Sequence, residues 1–178
     1  MALRKASAYS KKKMRPYTRK SSKKSKSYIK TIPQQKIVKF RMGAIADFRK
    51  GKLKQIVKLV SSEKVLVRDN ALESSRQYIQ KSLDKEFPGQ FYFEVKVFPH
   101  HILRENKVLT GAGADRMQTG MQQSFGTVMG RGAIVKPGQE LFIVAVVNDK
   151  AKKVAMKTLS QIKSKLPGRS RLVLEKKE

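Results

Sequence analysis

The sequence contains no cysteine, no tryptophan, only two histidines and only 13 acidic residues among 178. Without cysteine the chain can form neither disulfides nor thiolate zinc sites, which fits a reducing cytoplasm. No apolar run approaches the roughly 18–20 residues of a transmembrane helix. The N-terminus also lacks the apolar segment of a secretory signal. These absences predict a cytoplasmic protein with no membrane partner.

The scarcity of acids is matched by an excess of bases. Lys and Arg total 41, which gives a formal net charge of +28. An isolated chain of this charge repels itself unless a polyanion neutralises it, and the excess is far more than solubility requires. Nucleic acid is the predicted partner. The apolar residues are concentrated between Ile37 and Leu174, which predicts one domain over residues 34–178.

The first part of the chain is the most basic. Fifteen Lys or Arg residues precede Asp47, the first acid. Residues 1–33 cannot bury enough apolar surface to fold alone, so we predict a basic arm that is disordered when free. Tyr9, Tyr17 and Tyr28 are spaced among the bases, where they can stack on nucleobases. The alternatives are an RNA-bound arm, which the length without acids favours, and a solvated tail.

The remaining pattern predicts about six strands and two helices in one α/β domain, more specifically an α+β sandwich of order β-β-α-β-loop-β-α-β. A helix is predicted over 70–86, with Asn70 as its cap and Glu73 at the capping-box position. A second helix is predicted over 150–165, with lysines 152, 153, 157 and 163 on its outer side. The predicted strands span residues 35–42, 54–60, 91–97, 141–147 and 169–174, and residues 61–67 are ambiguous.

A glycine-rich segment interrupts this pattern. Six of the eleven glycines lie between Gly111 and Gly132, which predicts a long loop over 107–132, and loops of this length are usually functional or disordered. The segment fails the dinucleotide fingerprint because Arg116 stands where the third glycine belongs, and no phosphate-loop GK[ST] is present. We therefore expect no nucleotide cofactor.

No group of residues supports catalysis or metal binding. His100 and His101 are adjacent, so on an extended chain they project in opposite directions, and they lack further ligands. Glu105 and Asp115 are too isolated to form an acid–base pair. We predict no catalytic residue, no metal and no enzyme activity. One histidine is expected to pack and the other to contact RNA or solvent.

The loop carries groups that suit RNA. Glycines allow close backbone approach, arginines pair with phosphates, and glutamines bond base edges or 2′-hydroxyls. The glutamines are Gln118, Gln122 and Gln123.

Three runs of sequence resemble a known family: VFPHHILRENKVLTGAGADRMQTGM from Val97, SFG from Ser124 and KLPGRSR from Lys165. They resemble the universal large-subunit ribosomal protein sixteen, the L16/L10e family, in its archaeal and eukaryotic form. The resemblance runs from about Met14 to Lys177. It implies a hammerhead-type α/β fold and a structural role in the large subunit.

The resemblance also implies partners and contacts. The partners would be large-subunit (23S-type) rRNA near the 5S rRNA region, neighbouring large-subunit proteins, and the A-site and P-site tRNA near the peptidyl transferase centre. The rRNA contacts would be Lys11, Lys12, Lys13, Arg15, Tyr17, Arg19, Lys20, Lys23, Lys24, Arg41, Arg104, Arg169 and Arg171. The loop residues near tRNA would be Lys107, Gly111, Gly113, Asp115, Arg116, Gln118, Gly120, Met121, Gly126 and Arg131.

Three features depart from the family pattern. The basic extension before Arg15 is longer than usual, and Gln122-Gln123 stands where a basic residue is expected. A third departure is that the sequence stops shortly after Lys177, without the aromatic C-terminal extension of some relatives. The alternative functions are a general polyanion-binding chaperone or compacting protein and, third, an RNA-modifying enzyme.

Overall fold

A computed structural model describes residue 29 and residues 31–105 and 127–176. These residues form three α-helices, followed in one case by a single 3-10 turn (Lys163–Lys165), and eight strands. The helices are α1 (Ile45–Arg49), α2 (Asp69–Glu86) and α3 (Asp149–Ile162). The strands are β1 (Arg41–Gly43), β2 (Gln55–Ser61), β3 (Val65–Arg68), β4 (Phe91–Val95), β5 (His101–Glu105), β6 (Thr127–Val135), β7 (Glu140–Val146) and β8 (Ser170–Lys176).

The strands form two antiparallel sheets. The larger has the order β1-β4-β7-β2-β8, and the smaller has the order β3-β6-β5. Helices α2 and α3 pack against each other, and the main core joins their apolar faces to residues such as Val57, Phe93 and Val144 of the large sheet. A smaller cluster joins α1 to Tyr92, whose ring stacks on Phe48 at 4.1 Å. The predicted α+β class is confirmed.

The two long helices follow their apolar stripes. In α2, Leu72, Ile79 and Leu83 are fully buried as predicted, and the helix ends just before Pro88. The predicted cap is wrong, because α2 begins at Asp69 and no side chain caps it. The predicted helix over 150–165 corresponds to α3 and the 3-10 turn.

The sequence-based count of strands was too low. The second sheet supplies the additional strands β3, β5 and β6, and α1 lies in a region predicted as a turn. The predicted loop over 107–132 extends too far, because its last residues belong to β6. Gly132 allows this strand to approach β3 closely, since a Cβ there would lie 3.2 Å from Leu66.

The predicted strand over 35–42 is also largely wrong. Only Arg41 and Met42 belong to β1, and the preceding residues are held by carboxylates of α2. The amide of Lys36 donates to Asp69 Oδ2 at 3.3 Å, and that of Val38 donates to Glu73 Oε2 at 3.4 Å. Ile37 is buried between these two bonds. This segment therefore follows the start of α2 instead of extending the sheet.

Glu73 is held in turn by Arg76. The guanidinium donates from Nε to Glu73 Oε2 at 2.8 Å and from Nη2 to Oε1 at 2.6 Å. Both residues are buried. The hydrogen bonds from Arg76 lower the pKa of Glu73, although burial opposes the shift. Asn70 therefore has no capping-box partner, because Glu73 is engaged with Arg76 and with the backbone of Val38.

We predict that Glu73→Gln lowers the free energy of unfolding by about 3 kcal/mol at neutral pH, because it leaves the Arg76 charge buried without its carboxylate. The pKa of Glu73 is lowered in the folded state, so its contribution is present above the ordinary Glu pKa of 4.5 and is lost as pH falls through the folded value. Urea unfolding at several pH values should show wild type and variant converging in acid. Glu86→Gln, at an exposed position of the same helix, is the control, and an equal effect there would contradict the assignment.

Gly43 offers a second test of the fold. Its φ is +83°, and an added Cβ would lie 2.1 Å from the carbonyl oxygen of Phe91. Gly51 also has a positive φ, +76°, but a Cβ there would meet nothing within 4 Å. We predict that Gly51→Ala costs about 1 kcal/mol of stability through backbone strain alone. Gly43→Ala should cost at least twice as much in the same urea titration, and equal costs would show that the contact with β4 is unimportant.

Candidate nucleic-acid interface

The few acidic side chains are largely engaged within the molecule. Asp47 pairs with Lys52 at 3.2 Å, and Glu94 pairs with both Arg41 at 3.0 Å and Lys96 at 2.9 Å. Because the acids are so few, pairing them leaves most Lys and Arg side chains without an acidic partner. The surface that remains is therefore strongly cationic.

One cluster of charges links three strands of the large sheet. Lys58 of β2 contacts Glu140 of β7 at 2.8 Å and Glu175 of β8 at 2.6 Å. These contacts raise the pKa of Lys58, with the hydrogen bond to Glu140 contributing most. Lys58 is therefore a structural cation, and it is a poor candidate for binding RNA.

A second cluster surrounds Glu94 on β4. Tyr92 donates its hydroxyl to Glu94 Oε2 at 3.0 Å, and burial followed by this bond raises the pKa of Tyr92 to about 12. Burial tends to raise the pKa of Glu94, but hydrogen bonds from Lys96, Arg41 and Tyr92 leave it lowered. Arg41 was predicted to bind rRNA. The structure places its Nε on Glu94, while its side chain stays 57% exposed.

The other predicted bases in the described part of the chain lie in two further places. Arg104 is in β5 and Arg131 in β6, both in the small sheet. Arg131 donates from Nε to the carbonyl oxygen of Pro33 at 2.6 Å, so one of its five N–H groups joins β6 to the N-terminal segment. Arg169 and Arg171 are exposed around the start of β8, with Arg169 3.7 Å from Glu63.

The structure does not gather these arginines into one cluster. Arg41 is on edge strand β1 and Arg171 is on the opposite edge strand, β8. They would therefore contact different parts of a polyanion. The remaining predicted contacts lie outside the described residues. They are Lys11, Lys12, Lys13, Arg15, Tyr17, Arg19, Lys20, Lys23 and Lys24 in the arm, and Lys107, Gly111, Gly113, Asp115, Arg116, Gln118, Gly120, Met121 and Gly126 in the loop.

Helix α3 presents a basic face that the predicted contacts omit. Four of its residues and one in the following turn are lysines outside the buried stripe, three of them exposed and two half-buried, and none forms an ion pair with another described residue. We call this set the α3 lysine face: Lys150, Lys152, Lys153, Lys157 and Lys163. Their helical spacing away from the buried stripe was visible in the sequence, and it was the signal that could have identified them.

The two histidines behave differently, as predicted. His101 is the first residue of β5 and is buried, and burial lowers its pKa. His100 is exposed, and its ring lies against Phe98 with the centroids 4.4 Å apart. Within the described ranges, no group of three or more potential ligands could hold a metal ion. No described helix is long and apolar enough to cross a membrane.

The chain matches the family model described as ribosomal protein L16p/L10e over residues 13–173. It is 40% identical to the large ribosomal subunit protein uL16 of Methanococcus maripaludis over 178 residues, which cover 99% of this chain and 96% of the relative. The uL16 of Thermofilum pendens is 44% identical over 163 residues, covering 90% and 89%. That of Pyrobaculum calidifontis is 39% identical, covering 99% and 96%.

These matches confirm the resemblance to the archaeal form of the family, and with it the predicted class of ribonucleoprotein component in translation. The family is one of structural proteins of the cytoplasmic ribosome, which confirms both the predicted location and the prediction that the chain is not an enzyme. Over nearly its whole length, then, the chain belongs to the ribosomal protein L16p/L10e family.

Proposed function

We propose that the chain, as a structural constituent of the large ribosomal subunit, binds large-subunit rRNA and supports the positioning of A-site and P-site tRNA near the peptidyl transferase centre. Its other partners would be the 5S rRNA region and neighbouring large-subunit proteins. The near-full-length match to large-subunit relatives is the observation that carries this proposal.

The base of the long loop supports the positioning role. Glu105 of β5 lies opposite Thr127 of β6, so the chain leaves and re-enters the small sheet at neighbouring positions. Leu103 of β5 packs with Leu66 of β3 and with Ile134 of β6, which holds the two strands in the sheet. A packed sheet fixes the positions of the two ends of the loop. Fixed ends suit tRNA positioning, because misplacing a reacting group by about 1 Å can lower the reaction rate on the order of a hundredfold.

The charge distribution supports the binding role. The α3 lysine face and the arginines on the two edge strands of the large sheet lie in separate regions, which suits a protein embedded among several RNA segments. Phosphate contacts of this kind position a protein without reading sequence. Sequence-dependent contacts would then come from the loop, where Arg116, Gln118 and Met121 are the proposed contacts.

We predict that replacing residues 106–126 with Asn-Gly impairs translation while leaving rRNA binding largely intact. Because Glu105 and Thr127 are cross-strand partners, a two-residue turn can close β5 and β6 without disturbing the sheet. The measurements are the affinity of the variant for rRNA and peptide synthesis by purified ribosomes that carry it. A Gly-Ser loop of the original length is the matched control, and it separates loop length from loop sequence.

Normal peptide synthesis by fully assembled ribosomes carrying the two-residue turn would contradict the role in tRNA positioning. A large loss of rRNA affinity would instead favour a loop that acts mainly as an anchor. A general polyanion-binding chaperone needs charge but not this loop sequence, so it would tolerate both replacements.

A second prediction concerns the α3 lysine face. We expect Lys153→Gln combined with Lys157→Gln to weaken rRNA binding and to flatten the salt dependence, with the slope of log K against log[salt] falling by about 0.7–0.9 for each lost phosphate contact. Lys52→Gln, which removes a lysine already paired with Asp47, should change the slope less. An unchanged slope for the double variant would exclude this face from the RNA contacts.

A further inference from the structure

Three rings form a row beside β1 and β4. Phe40, at one end, is half-buried and packs against the main core. Phe40 and Phe98 stack with centroids 5.4 Å apart and an interplanar angle of 23°, and His100 lies against Phe98 at 4.4 Å. Phe98 is 37% exposed, and His100 is exposed. We call these three residues the ring row. Phe98 and His100 therefore form a contiguous exposed ring surface, and surface of this kind can serve as a contact site for a ligand.

A tight turn places the last two rings together. The amide of His100 donates to the carbonyl oxygen of Phe98 at 3.0 Å, a hydrogen bond between residues two apart that is typical of a γ-turn. Pro99 is the central residue, and its fixed φ suits that turn. Both rings are therefore presented from a locally rigid segment, and little side-chain ordering is needed when a ligand stacks on them.

The ring row borders a pocket at the seam between the two sheets. The pocket has a volume of about 330 Å³, near the lower end of ligand pockets in general. Its walls come from the link between β4 and β5, from β6 and from the turn before β7. Apolar and polar groups both line it, namely Lys96, Phe98, His100, Ala133, Ile134 and Gln139.

The charge near the ring row is positive. Lys39 precedes Phe40, Lys96 lines the pocket, and Lys136 follows β6; all three are exposed. The acids nearby are already paired: Glu94 with Arg41 and Lys96, and Glu140, which follows the pocket residue Gln139, with Lys58. An anionic ligand that carries a flat ring matches this combination of charge and aromatic surface.

We propose that the ring row and its pocket bind an unpaired nucleobase of RNA, with the base stacked on His100 and Phe98 and its phosphate facing the exposed lysines around the row. This inference rests on the proposed rRNA binding and gives it a specific site. An unpaired base has a free face for stacking, whereas the base faces of a duplex are covered by their neighbours. The cationic rim favours RNA over an apolar segment of a protein.

Binding of the full-length protein to a short single-stranded oligo(A) RNA, measured over a series of salt concentrations, tests the site. We expect His100→Ala to weaken binding about tenfold through the loss of one stacking contact. The slope of log K against log[salt] should not change, because no phosphate contact is removed. His100→Tyr retains a ring and should restore the affinity, and a blunt RNA duplex should bind all three proteins equally.

Phe98→Leu, which keeps apolar bulk but removes the ring, should weaken binding to oligo(A) in the same way, and thermal unfolding would verify that each variant is folded. Equal oligo(A) affinities for wild type, His100→Ala and Phe98→Leu would overturn the site, and so would equal losses for the duplex. If wild type binds oligo(A) with a steep salt dependence and both variants bind it with the affinity of wild type, the ring-row site is wrong and the proposed rRNA binding stands. If wild type itself shows no salt-dependent RNA binding, the proposed function fails.

Discussion

Self-repulsion within a chain of net charge +28 is the constraint on which the rest of the structure depends. Several of the described carboxylates join separate parts of the fold. Glu73 joins α2 to the segment before β1, Glu94 joins β1 to β4, and Glu140 and Glu175 meet on Lys58 across three strands. These carboxylates therefore neutralise basic side chains where two elements meet. The remaining positive charge lies on the surface, where a polyanion can bind it.

The two sheets have different roles: one contains the core and the other holds the loop. The large sheet and its helices contain the main core, while the small sheet carries the strands from which the long loop begins and ends. Arg131 links that small sheet to Pro33, so the N-terminal segment and strand β6 share one hydrogen bond. In the account proposed here, the arm, the α3 lysine face and the loop meet different RNA segments around one packed body.

The sequence predicted those elements whose signals are local. The apolar stripe of α2 and the continuous apolar run of β7 needed no knowledge of the rest of the chain. Strands β5 and β6 were not predicted, because histidine, arginine and glycine interrupt the alternation of apolar and polar residues. A glycine at position 132 fits a strand here because Leu66 packs against it, and that contact is not visible in the sequence. The strand predicted over 35–42 was wrong for the opposite reason. Its alternation is real, but Val38 is 74% exposed and its amide bonds to Glu73 of α2 instead of to a strand.

The candidate site was predictable only in part. Composition identified a polyanion as the partner, and the family resemblance identified the ribosome, but neither distinguishes a free cation from one that is already paired. Lys58 and Arg41 look like other surface bases in the sequence, and three-dimensional contacts with Glu140, Glu175 and Glu94 alone reveal their structural roles. The ring row could not be predicted from the sequence, because Phe40 and Phe98 are far apart in the chain and only the fold brings them together.

Sedimentation of the native protein in a cell lysate, through a sucrose gradient that resolves the two ribosomal subunits, tests the central claim most directly. We expect the protein to migrate with the large subunit and with whole ribosomes and to be absent from the small-subunit fraction. Migration with RNA of every size, or accumulation at the top of the gradient, would contradict a structural role in the large subunit.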